Sequence, residues 1–277
     1  MVMYEHIRYE VDDPVATITL DRPEALNGWT GRMAAEVRHA AARAEADRAV
    51  AGIVITGAGR AFCAGADMND LATLTEGGAL ESSWPELEVA PDPDLAGDFA
   101  GTFTYLLATK KLVVAAINGA IAGMAVPIAL CCDVRFMADD APFLTAFARR
   151  GLIAEYGVSW LLARVAGTAN AIDLLLSSRK ITGAEAARLG VVNEAMPVAE
   201  VLPHARQYVE DTAATCSPRS IAIMKRQIYT QIHAGLGPAE YESRKLMIES
   251  FGRSDFGEGV SSFREKRPPK FERLGEG

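Results

Sequence analysis

The longest uncharged stretch of the chain, Leu112 to Cys132, constrains the fold more than any other feature. It is long enough to cross a bilayer as a helix. Asn118-Gly119, Gly123 and Pro127 interrupt it, however, and β-branched Val113 and Val114 open it. Those breaks predict a buried strand, a tight turn and a buried helix, with no membrane span. Such a segment needs a sizeable core around it. A chain of 277 residues, 49% hydrophobic and 23% charged, can supply one.

The rest of the chain alternates in the same way. Val15–Leu20 reads as a strand between Pro14 and Asp21-Arg22-Pro23. Thr30 can cap a helix running to about Arg48, with Met33, Val37, Ala40, Ala41 and Ala44 on one face. Gly52–Thr56 is a short apolar strand, and 73–97 is an irregular surface loop rich in Gly, Pro, Ser and acids. A helix is expected near Asp98–Ala108, strands near Leu112–Ile117, Val134–Met137 and Pro142–Phe147, and a helix from Ser159. Beyond about Ala199 the pattern is helical, with Ser217-Pro218 a clear helix start. The expectation is an α/β core over 1–198 and a helical region over 199–277.

Several function classes fall away. A net charge of −8 does not suit a nucleic-acid binder. Cys63, Cys131, Cys132 and Cys216 have no disulfide-framework or zinc spacing, so no metal is expected, and a reducing cytoplasm fits. The opening MVMYEHIRYE lacks the apolar run of a secretory signal. Gly57-x-Gly59 follows a strand, but a dinucleotide fingerprint needs a third glycine where Phe62 stands. There is no phosphate-loop Gly-Lys-Ser/Thr and no Gly-x-Ser-x-Gly elbow. His6, His39, His204 and His233 are scattered and read as surface residues.

Two segments carry a pattern. One is Gly59-Arg-Ala-Phe-Cys-Ala-Gly-Ala-Asp67, leaving a strand; the other is Ala116-Ile-Asn-Gly-Ala-Ile-Ala-Gly-Met124, entering a helix. With Asp21-Arg-Pro-Glu-Ala-Leu-Asn27, Ile181–Asn193 and the terminal Phe263–Phe271, they resemble the crotonase (enoyl-CoA hydratase/isomerase) family in order and spacing, over nearly the whole chain. The resemblance implies a spiral of ββα units with a C-terminal helical region that builds homotrimers or dimers of trimers. It also implies an acyl-coenzyme A thioester as substrate, with no permanently bound cofactor. The oxyanion donors it implies are the backbone N–H groups of Ala66 and Met124. The physical logic is general: charge developing on a thioester oxygen needs preorganised donors, and small residues let the ligand approach the backbone.

The chain departs from the family where hydratases carry two glutamates, since those positions hold Pro127 and Phe147. Glu155, in Gly151-Leu-Ile-Ala-Glu-Tyr-Gly157, falls where dienoyl-CoA isomerases, which this chain resembles, carry a catalytic Asp. An acid in an apolar turn suits proton transfer; the plainer reading is a carboxylate capping the next helix. Tyr156 either orients Glu155 or packs, and Arg149-Arg150 reads as surface. Asp67 and Asp70 can cap or orient the turn after the first donor. For coenzyme A, the resemblance implies contacts at Arg22, Ala64, Asp67 and Met68, and from the basic-aromatic tail at Lys266, Lys270 and Phe271. The favoured activity is enoyl-CoA double-bond isomerisation with Glu155 as acid/base. The alternatives are a hydratase or hydrolase using Glu155 to activate water, and a catalytically silent acyl-CoA binder.

Overall fold

The wholly apolar strands expected at Val15–Leu20, Gly52–Thr56 and Leu112–Ile117 lie side by side in one sheet. The computed structural model of the chain describes residues 2–79, 83–89 and 97–275. From the N-terminus, β1 (Ile7–Asp12) and β2 (Val15–Leu20) form an antiparallel hairpin, followed by α1 (Gly31–Ala46). A strand–strand–helix unit then repeats. The first contains β3 (Gly52–Gly57), β4 (Ala61–Cys63), α2 (Met68–Thr75) and the short α3 (Tyr105–Ala108). The second contains β5 (Leu112–Ile117), β6 (Ala120–Ala122) and α4 (Ala125–Leu130). The third contains β7 (Val134–Ala138), β8 (Pro142–Leu144) and α5 (Val158–Ser177). After β9 (Ile181–Thr182), α6 (Gly183–Arg188) and β10 (Glu194–Met196) come four helices: α7 (Val198–Thr215), α8 (Pro218–Gln231), α9 (Leu236–Phe251) and α10 (Ser254–Glu265).

The long strands form a six-stranded sheet in the order β1-β2-β3-β5-β7-β10, parallel apart from the first hairpin. The short second strands form another sheet, β4-β6-β8-β9. Each repeat thus steps from the large sheet to the small one and returns through a helix. β2 and β3 are buried along their whole length, as strands covered on both faces must be. Each large aliphatic side chain buried there stabilises the fold by roughly 1.5–3 kcal/mol before entropy is counted.

The uncharged run resolves into β5, β6 and α4, and no described helix is long and apolar enough to cross a membrane. Thr30 caps α1 by accepting from Met33 N–H at 3.0 Å, and the expected face of that helix is buried. Glu36 on the same helix is also buried, and its carboxylate accepts from the Glu5 and His6 amides. Two expectations need correction. Between Asp98 and Ala108 only a 3-10 turn at Gly97–Phe99 and the short α3 form, because the Gly101 N–H donates to Thr104 Oγ1 instead of entering a helix ladder. β8 stops at Leu144, short of Phe147, where Ala146 turns to φ +62°. Of the stretch 73–97, residues 80–82 and 90–96 lie outside the described residues. The parts described are more regular than expected: α2 runs to Thr75, and a 3-10 turn at Pro85–Leu87 buries Leu87.

Candidate active site

The turn leaving β3 is held by two asparagines. Asn27, fully buried at φ +55°, donates from Nδ2 to the carbonyls of Ala58, Ala61 and Phe62, and its Oδ1 accepts from Arg22 N–H. Asn118 accepts from Gly57 N–H at 3.1 Å and donates to Gly59 carbonyl at 3.0 Å. One asparagine comes from each side of the turn, so the chain leaves toward residue 66 in a fixed direction.

Residues 26–29 then run beside residues 64–67. Ala64 N–H donates to Leu26 carbonyl, Trp29 N–H to Gly65 carbonyl at 2.7 Å, and Asp67 N–H to Trp29 carbonyl at 2.9 Å. Because successive peptide groups of an extended strand alternate in direction, the Ala66 N–H points away from this pairing. Gly65 lies at φ +105°, and a Cβ there would come 3.1 Å from Ala122 carbonyl oxygen and 3.8 Å from Met124 nitrogen. The first turn therefore abuts the second, and a side chain would push them apart. In the second turn Gly123 N–H donates to Leu144 carbonyl, and Met124 opens α4 with helical φ and ψ. Neither the Ala66 nor the Met124 N–H has an acceptor among the described residues.

Asp67, next to Ala66, does cap, as one of its two expected roles required. Its carboxylate accepts from Asn69 N–H at the start of α2 and pairs with Arg22 Nη1 at 2.8 Å, and Arg22 also donates to Gly28 carbonyl. Burial pushes the Asp67 carboxyl up, but the Arg22 bond and the Asn69 and Asp70 amides outweigh it, holding it below the usual value. Asp70 moves the other way, pushed up by burial and by the Asp67 charge. Arg22, expected to reach coenzyme A, here clamps the donor turn. Cys63 is no nucleophile, since burial pushes its thiol up to about 12.

Pro127 and Phe147 are both buried, so no carboxylate stands where the two hydratase glutamates would. Glu155 lies on a turn that includes Gly151 at φ +69°, Tyr156 at +51° and Gly157 at +76°. The apolar enclosure expected around it is absent, for Leu152 and Ile153 are exposed, Ile153 by 80%, and Glu155 is half-exposed. Its carboxylate does not cap α5, whose N-cap is Gly157 with no side-chain bond; only the Glu155 carbonyl accepts, from Val158 N–H. The turn nevertheless faces the donor region. Tyr156 packs edge-on against Phe103, and Phe103 edge-on against Trp29, the residue that brackets Ala66. Arg150 reaches the Met68 sulfur at 4.0 Å, and Arg149 is a surface residue as expected. Ala64 and Met68 are exposed at the rim of this area.

The tail residues lie elsewhere. Lys266 and Lys270 are exposed, and Phe271 lines a cavity of about 640 Å³ with Phe256, Val260 and Phe263. The Lys270 N–H and the Arg267 guanidinium both bind Glu258, which the Arg267 bond, foremost, holds down to about 2. Among the described residues, no hydrogen bond or ion pair joins this tail to the turns around Ala66 and Met124. Each of the four histidines has a nearby partner: Thr30 for His6, Tyr4 for His39, Trp160 for His233, and the Glu194 carboxylate at 3.7 Å for His204. The paired roles of Asn27 and Asn118 and the Trp29–Phe103 packing were missed in the sequence; only the fixed spacing of the two asparagine-bearing motifs hinted at the first.

Known proteins resemble the chain over nearly its whole length. Residues 10–274 match the enoyl-CoA hydratase/isomerase family. A probable enoyl-CoA hydratase of Rhodobacter capsulatus is 37% identical over 97% of this chain and 98% of its own length. The 1,2-epoxyphenylacetyl-CoA isomerase of Escherichia coli is 32% identical over 97% and 99%. The crystal structure of a probable enoyl-CoA hydratase/isomerase from Mycobacterium abscessus superposes with a TM-score of 0.83 at 27% identity, over 98% of this chain and 99% of that one. The interleaved sheets, the abutting glycine turns and these relatives lead to one assignment: the chain is a crotonase-fold enzyme of the enoyl-CoA hydratase/isomerase family.

Proposed function

We propose that the chain isomerises the double bond of an enoyl-CoA. The Ala66 and Met124 N–H groups receive the thioester oxygen, and Glu155 moves the proton. With a 3-enoyl-CoA, Glu155 removes a proton from the α-carbon and the electron pair passes through the carbonyl to its oxygen. The dienolate charge falls on the two amides. The same carboxyl returns the proton at the γ-carbon, leaving the 2-enoyl thioester. Fixed amides aimed at a developing charge are usually the largest electrostatic contribution in such a site.

The observation that carries the reading is the contact of the Gly65 and Gly123 turns, each followed by an amide with no acceptor among the described residues. Isomerisation is favoured over hydration because Pro127 and Phe147 cannot activate water, whereas one carboxylate suffices to shuttle a proton. The second reading, hydration, is favoured by the 37% identity to the probable enoyl-CoA hydratase of Rhodobacter capsulatus. The acyl-CoA rim would include Ala64, Met68 and the Arg22-clamped Asp67, with Lys266, Lys270 and Phe271 serving a neighbouring copy in a homotrimer or dimer of trimers. The test supplies purified protein with 3-enoyl-CoA and 2-enoyl-CoA in parallel. Isomerisation is expected, and Glu155→Gln should lower it by about 10²- to 10⁴-fold. Hydration of 2-enoyl-CoA that survives Glu155→Gln would overturn the assignment.

A further inference from the structure

Tyr156 adopts φ +51°, a region that a bulky aromatic residue enters only when its surroundings force it. Those surroundings are visible. Its ring meets Phe103 edge-on with centroids 5.1 Å apart, and Phe103 meets Trp29 edge-on at 5.4 Å. Phe103 and Trp29 are both buried, and the backbone of Trp29 binds Gly65 and Asp67 on either side of Ala66. A continuous aromatic column therefore connects the first donor amide to the residue beside Glu155. The Glu155 carboxylate makes no hydrogen bond or ion pair among the described residues, so its backbone turn alone sets where it stands. Burial, and then the Glu155 charge, pushes the Tyr156 phenol up, which keeps the ring neutral beside the acid.

We propose that Tyr156 is a positioning residue, whose ring, seated on Phe103 and Trp29, fixes the Glu155 carboxylate relative to the Ala66 amide. The inference rests on Glu155 being the acid/base. If the conformation of the turn alone were at stake, a glycine would suit this backbone better, since it takes positive φ without strain. The ring contributes direction, and misplacement of a reacting group by about 1 Å can cost on the order of a hundredfold in rate.

Steady-state isomerisation and exchange of the substrate α-proton in deuterated water test this with four variants. Tyr156→Gly removes the strain and the ring, and is expected to lower kcat and α-proton exchange by about ten- to a hundredfold, with KM within about threefold. Phe103→Leu removes the seat and should act in the same direction more weakly. Tyr156→Phe restores the ring and should recover most of the rate lost in Tyr156→Gly. Glu155→Gln is the reference. Should Tyr156→Gly keep full kcat while Glu155→Gln is inactive, the positioning role is wrong and the base assignment stands. A Tyr156→Phe variant as inactive as Glu155→Gln would also overturn it, by making the phenol itself the acting group. If Glu155→Gln retains full turnover, the base assignment fails and the positioning role falls with it.

Discussion

The turns around Ala66 and Met124 and the helices at the C-terminal end are built on opposite terms. In the first region the polar side chains that hold the turns are paired within the chain: Asn27 with three carbonyls, Asp67 with Arg22 and an amide, Asn118 with Gly57 and Gly59. In the second, α9 has no buried residue at all. Leu236 is exposed by 86% and Phe263 by 84%, and Ile228, Tyr241 and Ile248 lie open on the same helices. α8 is moored in depth by Lys225, which reaches Asp133 at 2.7 Å and the carbonyls of Leu106 and Lys111, and by Tyr229, whose hydroxyl donates to Asp133 at 3.1 Å. Apolar patches of this kind are what interaction faces present. The contrast teaches that one chain completes the rigid frame of its donor turns, while its helical end leaves large apolar side chains open to the surface.

The contrast breaks most visibly at Asn27. Its two Nδ2 hydrogens serve three buried carbonyls, and Asn tolerates φ +55° better than alanine does. Asn27→Ala leaves those carbonyls without their donor and strains the turn, so it should lower stability by about 3–5 kcal/mol. Urea unfolding measures this, and a loss below about 1 kcal/mol would mean the turn holds without its staple.

A smaller effect is expected at the Arg22–Asp67 pair. The Asp67 side chain is 6% exposed, and Asp67→Asn should cost about 2 kcal/mol at neutral pH by leaving Arg22 without its counter-charge. The pH dependence has a definite sign. The folded Asp67 carboxyl titrates below its ordinary 3.8, so its contribution is complete above that pH and disappears as pH falls through the lower folded value. Wild-type stability should therefore drop more steeply than that of Asp67→Asn as acid is added below about pH 4. Parallel slopes would show that the pair contributes nothing.

What the sequence disclosed differs between the two regions for physical reasons. In the core, periodicity is enforced by burial, so β2, β3, β5 and the inner face of α1 could be read directly. The breaks in the uncharged run likewise located β5 and α4 around Asn118-Gly119 and Gly123. β1 is absent from the sequence expectations although Ile7, Tyr9 and Val11 alternate with Arg8, Glu10 and Asp12; as an edge strand it is mostly exposed, and its apolar face is weak. The abutment of the two glycine turns could be inferred only through the family resemblance, since nothing local in either motif says which loop it will meet. The exposure of the Glu155 turn was not legible at all. Leu152 and Ile153 look like core residues in sequence, and only the tertiary position of the turn leaves them at the surface.

The smallest effect on the fold itself belongs to the helical end, and it is the sharpest probe of the comparison. Phe263 projects from α10 beside Phe271, so in an isolated chain Phe263→Ser removes little packing and should change stability by less than about 0.5 kcal/mol. If this face is covered by a second copy, each site instead loses the roughly 1.5–3 kcal/mol that burying a Phe contributes. Dilution would then separate the two cases, because stability gained by assembly depends on protomer concentration and stability within one chain does not. Sedimentation of wild type and Phe263→Ser across a dilution series should show the variant dissociating at higher concentration, with the unfolding of the dissociated chains superimposable. Equal sedimentation at every concentration would remove Phe263 from any interface between copies of the chain.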